Sequence, residues 1–134
     1  MIVVDSSVWI DYFTGNHSLE TEKLDSLLGE ELVAIGDLML VEVLQGFRSD
    51  KDFRQARKLL LSLTVVNMLD TAIAIKSAEN FRALRKKGIT VHKTIDAIIA
   101  TYCMENKLSL LHSDKDFLPF HKHMKLKNAV TGAK

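Results

Sequence analysis

The sequence predicts an α/β protein with three layers, α/β/α, around a small and mostly parallel central sheet. Three observations predict it. First, four short and largely apolar runs, Ile2 to Val4, Leu32 to Ile35, Leu63 to Val66 and Leu108 to Leu111, end abruptly in turn or polar residues. Such runs read as buried strands of a parallel sheet. Second, segments with helical spacing separate them, giving the order β-α-α-β-α-α-β-α-α-β, which suits one sheet with helices on both faces. Third, Asp5 follows the first run and Ser113-Asp114-Lys115-Asp116 follows the last. Open α/β sheets place their ligand crevice beyond the carboxyl ends of their strands. If the first and last strands lie side by side in parallel, Asp5 and Asp114 face one crevice.

Length and composition fit one domain spanning residues 1–134, with hydrophobic residues at 47% and charged residues at 26%. A chain of this size buries a core without disulfides or a structural metal. Its single cysteine, Cys103, has no partner for an internal disulfide. That fits a reducing cytosol, and a cytoplasmic location is expected. The first apolar run is too short, and lacks the basic flank, for a signal peptide. No stretch is suited to crossing a bilayer, so no membrane association is expected. Net charge is only +1, so phosphate binding must rely on local basic groups or on metal.

The elements follow in order. SSVWIDYFTG reads as a helix capped by Ser6 or Ser7 and ended by Gly15 in a left-handed conformation. Trp9 belongs to the core, where large aromatics dominate burial. Ser18 begins a second helix with Leu24, Leu27 and Leu28 at helical spacing. After the second strand, ended by Gly36, Asp37 caps a helix running to about Gly46. It is apolar nearly all round and is expected to be buried. Glu42 stands out there, because no base lies three or four residues away. A buried carboxylate needs a distant partner, a proton or a metal, and the plain alternative is a rim position reaching water. Residues 51–62 form an amphipathic helix that carries Arg54, Arg57 and Lys58 and has Arg48 before it. These read first as a solvated face.

Asp70 caps the longest helix, with Ile75, Ala78, Phe81 and Leu84 expected inward. Arg82, Arg85, Lys86 and Lys87 suit the negative end of its dipole, and Gly88 stops it. Thr94 opens TIDAIIATYCME, in which Asp96 sits in a run without a polar face. Only His92 and Lys93, before the helix, are placed to pair with it. Cys103 reads as a small buried hydrophobe. Beyond Pro119, His121 and His123 with their lysines read as a polar, exposed tail rather than a metal site.

Asp5, Glu42, Asp96 and Asp114 are each the wrong residue for a buried place, and each begins or interrupts an apolar element. Converging carboxylates repel one another unless a cation neutralises them. Oxygen donors without His or Cys point to Mg²⁺ or Mn²⁺ rather than zinc. Such a site, with one ion or two about 4 Å apart, suits phosphodiester hydrolysis. Asp116 is a further direct or water-mediated ligand. Ser6 and Ser113 adjoin the strand-end acids, ready to support a ligand carboxylate or a phosphate.

The ordered motifs IVVDSS, LVEVLQGFR, TIDAIIA and LLHSDKDF resemble those of a PIN domain. Within that group the short length and the Asp-x-Asp-Phe ending are most similar to VapC-type toxins of bacterial toxin–antitoxin pairs. The resemblance covers essentially the whole chain. It implies a PIN-like fold and a Mg²⁺-dependent endoribonuclease, with Mn²⁺ as a substitute. Asp5, Glu42, Asp96 and Asp114 match the acidic quartet, and Asp116 matches a further acid seen in many members. Ser6 and Ser113 stand where the family often has Ser or Thr. The resemblance further implies an RNA substrate, homodimers, and a cognate VapB-like antitoxin covering the active-site groove in a higher assembly. Arg48 and Arg85 are the candidate RNA contacts. Asp37 is read as a cap, not a ligand.

Three other readings share parts of this pattern. A receiver-like signalling domain needs a phosphoacceptor Asp directly after the third strand, where this chain has Asn67-Met68. A phosphatase using Asp114 and Asp116 carries that motif after its first strand, not its last. A catalytically silent RNA- or protein-binding module of the same architecture has no need of an intact set of buried acids.

Overall fold

A computed structural model describes residues 1–30 and 32–130; the last four residues of the sequence-predicted tail and domain lie outside the described residues. Its strands are β1 (Ile2–Val4), β2 (Val33–Gly36), β3 (Thr64–Val66), β4 (Ser109–Leu111) and β5 (Lys127–Asn128). They lie in the order β3-β2-β1-β4-β5, and every neighbouring pair is parallel. The register sets Val4 of β1 opposite Leu111 of β4. Parallel strands need crossover connections, and helices supply them. These are α1 (Ser6–Thr14), α2 (Leu19–Leu28), α3 (Asp37–Leu44), α4 (Asp50–Leu61), α5 (Thr71–Lys86) and α6 (Thr94–Glu105). A 3₁₀ turn (Lys115–Phe117) and the short α7 (Leu118–His123) precede β5. The layers are α/β/α.

The three inner strands are buried on both faces, which is why they read as unbroken apolar runs. Val3, Val4, Ala34, Ile35, Leu110 and Leu111 are fully buried there, with Trp9, Phe117 and Phe120 the largest side chains packed around them. Trp9 stacks on Phe13 at 5.8 Å.

Several helix ends form as the sequence dictates. Gly15 takes φ +79° and closes α1, and Gly88 takes φ +78° beyond α5. Ser18 and Thr21 form a reciprocal capping box at α2. Other ends differ. The cap of α1 is Asp5 rather than Ser6 or Ser7: its carboxylate accepts from the Ser7 N–H. Asp37 is the first residue of α3, with Gly36 as the cap. Its Oδ1 accepts from Leu38 N–H and also from Met68 N–H beyond β3, at 3.1 Å.

Three larger expectations are corrected. Helix α3 is not buried all round: Met39 and Val43 are buried but Val41 is 62% exposed. Helix α5 turns a partly different face inward: Leu84 is buried and Phe81 half-buried as expected, but Ile73, Ser77 and Asn80 are buried with them while Ile75 and Ala78 are exposed. The inward face carries polar groups because Asn80 donates to Thr101 of α6 at 2.9 Å, which satisfies both inside the helix pair. The segment after Pro119 is not an exposed tail. Phe120 and Leu126 are fully buried, His121 is 9% exposed, and Ala129 N–H donates to Leu110 O. Those anchors turn the segment back to add a fifth strand beside β4.

Candidate active site

The strand order reverses direction between β1 and β4, the place where open α/β sheets leave a crevice for ligands. Asp5 leaves β1 there, and its N–H donates to Leu111 O of β4 at 2.8 Å. Asp114 lies three residues past the end of β4. The shared register brings these acids together although 109 positions separate them in the chain.

Asp96, Asp114 and Asp116 each offer a carboxylate oxygen within 4.8 Å of the others. Asp96 enters from the first turn of α6 and is 5% exposed. Its Oδ2 is buried without a hydrogen-bond partner among the described residues. Burial, reinforced by Asp5, Asp114 and Asp116, pushes its carboxyl up to about 7, against the pull of Lys93. Burial also raises Asp114, but the Asp116 N–H at 2.9 Å and Lys93 outweigh it and hold the group below the usual carboxylate range.

Asp5 and Glu42 form a second part of the same acidic field. Burial raises Asp5, which is 4% exposed, although Ser7 steadies its charge with an N–H at 3.1 Å and a hydroxyl at 2.7 Å. Burial likewise raises Glu42, with Asp5 and Asp114 adding to it, while the Ser6 hydroxyl donates to its Oε1 at 3.1 Å. Glu42 is half-buried, so both the distant partner and the rim position considered for it hold.

Two supporting residues stand outside the candidate set named from sequence, although Lys93 was already placed to pair with Asp96. Ser7 holds Asp5, and its hydroxyl oxygen also accepts from Ser113 N–H at 3.1 Å, so one side chain joins the two strand-end loops. Lys93 places its ammonium 3.4 Å from Asp114 Oδ2, and Asp114, Asp96 and Asp116 together raise its pKa. The proximity of Lys93 to Asp96 in sequence was the available signal. Ser113 turns its hydroxyl to Asp11 of α1 at 3.4 Å, not to an acid of the cluster. Arg48 and Arg85 are exposed and make no ion pair among the described residues; Arg85 lies over the Phe81 ring at 5.8 Å.

The arrangement can do one thing readily. Its donors are all carboxylate oxygens, they repel, and one buried oxygen has no partner. A hard divalent cation meets each of these conditions. The receiver topology is excluded by the strand order, which in that fold is 2-1-3-4-5. Moreover, Met68 after β3 is buried, and Asp70 caps α5 by accepting from Ile73 N–H at 2.8 Å.

Residues 2–121 match the family model of the PIN domain. The chain belongs to the PIN-domain family. Among PIN-domain relatives, it is 31% identical over 120 residues to a VapC ribonuclease of Mycobacterium bovis, covering 87% of this chain and 89% of the relative. The same figures hold for ribonuclease VapC11 of Mycobacterium tuberculosis. Among solved structures, VapBC2 from Rickettsia felis, bound to a DNA fragment from its promoter, superposes with TM-score 0.73 at 16% identity. That match covers 96% of this chain and 98% of the other. A toxin–antitoxin complex from Klebsiella pneumoniae gives TM-score 0.65 at 21% identity, covering 87% and 90%. The structural likeness is one of fold, and the PIN-domain α/β/α architecture is shared along nearly the whole chain.

Proposed function

We propose that this chain is a metal-dependent endoribonuclease, the toxic member of a toxin–antitoxin pair, and that Asp5, Glu42, Asp96 and Asp114 are its catalytic acids. The observation that carries the reading is Asp96 Oδ2, buried and unpartnered amid three other acids. The ribonuclease relatives supply the reaction class. Mg²⁺ is the expected ion, with Mn²⁺ able to replace it.

Asp96, Asp114 and Asp116 would hold the ion directly, with Asp5 completing the set and Glu42 at its margin. A divalent ion there supplies positive charge to the scissile phosphate and acidifies the attacking water. The chain's own groups do the rest. Ser7 and Ser6 keep Asp5 and Glu42 oriented and satisfied while ionised. A cation held there would favour the charged form of Asp96 over its protonated form. Lys93 stays protonated beside Asp114 and offsets the negative field that an approaching RNA meets. Arg48 and Arg85 are exposed and offer backbone phosphate contacts. We further propose that the whole chain forms one PIN domain, pairs as a homodimer, and acts in the cytoplasm under restraint by an antitoxin. No described helix is long and apolar enough to cross a membrane.

The test is cleavage of total RNA by purified protein with Mg²⁺ or with EDTA, beside Asp96→Asn. Fragments should appear with Mg²⁺ and vanish with EDTA. The variant should lose at least about 100-fold in rate, the scale on which losing one charge-stabilising group acts. Cleavage by Asp96→Asn at the wild-type rate would show that these acids are not the site.

A further inference from the structure

We propose that His112 and His121 are positioning residues: a partly buried imidazole relay that fixes the backbone of the Asp114 turn and makes α7 part of the active-site scaffold. His112 follows β4 directly, and its ring lies 4.9 Å from that of Phe117. His121 is buried on α7. Their two Nε2 atoms are 2.8 Å apart. His121 Nδ1 lies 2.9 Å from Leu126 O, and His112 Nδ1 lies 3.3 Å from Asp114 N.

The outer partners decide every proton. A carbonyl oxygen only accepts, so His121 Nδ1 carries its hydrogen and His121 Nε2 presents a lone pair. A backbone N–H only donates, so His112 Nδ1 presents a lone pair and His112 Nε2 carries the hydrogen. The central contact is then a hydrogen bond from His112 to His121. Any other pair of tautomers leaves a lone pair or a hydrogen facing its like. The relay runs in one direction, from Asp114 N–H through both rings to Leu126 O, with one proton per contact.

Its end point is the functional part. Asp114 N–H is tied to the relay while Asp114 Oδ1 accepts from Asp116 N–H at 2.9 Å. Backbone and side chain of the turn are thereby both fixed, and Asp114 and Asp116 meet Asp96 at ligand spacing. Asp114 is only half-buried, so water could satisfy its N–H and the fold alone does not require the relay. Outer groups that orient metal ligands act in this way. The inference rests on the reading of Asp114 as a metal ligand.

The test compares two substitutions in metal-free protein titrated with Mn²⁺ by calorimetry. In His112→Asn the amide oxygen replaces the Nδ1 acceptor for Asp114 N–H but loses reach to His121. In His112→Gln the amide reaches the position of Nε2 and loses the Nδ1 acceptor. Mn²⁺ affinity should stay within about threefold in the Asn variant and weaken about 10- to 100-fold in the Gln variant. Thermal stability should fall more in the Asn variant, so the two readouts move oppositely. Equal losses in both variants that follow stability would overturn the relay's positioning role. Unaltered Mn²⁺ binding by His112→Gln would overturn it while leaving the metal site intact. Absence of Mn²⁺ binding by the wild-type protein would overturn both. Nitrogen-15 NMR of the wild-type protein at neutral pH needs no variant. It should show His112 with hydrogen on Nε2 and His121 with hydrogen on Nδ1, and rapidly averaging tautomers in either ring would contradict the relay.

Discussion

Asp96 carries a measurable cost in the metal-free protein. Its folded pKa, about 7, lies above the ordinary 3.8, so the folded state binds a proton that the unfolded state releases. Stability from this group is therefore present below about pH 4 and is lost as pH rises through about 7. Asp96→Asn removes that dependence. Without metal, the variant should gain on the wild-type protein by about 2–4 kcal/mol between pH 4 and pH 8 in paired denaturant titrations. A difference that stays flat with pH would mean that the carboxylate is not held in this field. Mn²⁺ should restore stability at pH 8 to the wild-type protein alone, and its affinity should climb with pH and level off above about 7. At this scale the buried acids were legible, because an acid in an unbroken apolar run has few structural uses. Ser7 was not. A serine beside another serine signals a cap, and only the pairing of β1 with β4 shows that Ser7 spans two loops.

The ends of the elements aim the site residues. Helix α6 is closed just beyond its Asn106 cap by Lys107, which takes φ +56°, while Leu108 N–H returns to Cys103 O and Lys107 N–H to Met104 O. That closure normally has glycine at the left-handed position. Lys107→Gly should stabilise the protein by about 0.5–1 kcal/mol in equilibrium unfolding, by relieving the Cβ contact. A loss of stability would show that the turn into β4 depends on something the lysine side chain does. Gly36 links β2 to α3 and has no such room. A Cβ there would lie 2.3 Å from Met68 Sδ and 2.8 Å from Met39 Sδ, both in fully buried side chains. Gly36→Ala should cost about 1–3 kcal/mol and, by shifting α3, weaken Mn²⁺ binding near Glu42. Thermal unfolding and Mn²⁺ titration of that variant check both halves. The types and most bounds of the first ten regular elements could be read from hydrophobic period and caps. The inward face of α5 could not, because Asn80 and Thr101 bury polar groups against each other. Nor could α7 and β5, where a lysine-rich surface hides the anchors Phe120 and Leu126.

Across the whole molecule, the strand order rather than any single motif assembles the site. Order β3-β2-β1-β4-β5 puts the reversal between β1 and β4, and residues from both ends of the chain meet there. Sequence alone suggested that adjacency from two acids behind two apolar runs, but it gave four strands. The pairing order depends on contacts between residues distant in the chain, which local patterns do not encode. With a net charge of only +1, the molecule has no large net positive charge, so the RNA binding we propose would rest on a bound metal and on a few cations such as Lys93. The most direct test is a crystal of the protein soaked in Mn²⁺ and measured for anomalous scattering. The account predicts a peak with oxygens of Asp96 and Asp114 at about 2.1 Å, the distance typical of such small hard ions. A well-ordered map with no peak among these acids, or a peak elsewhere only, would contradict it.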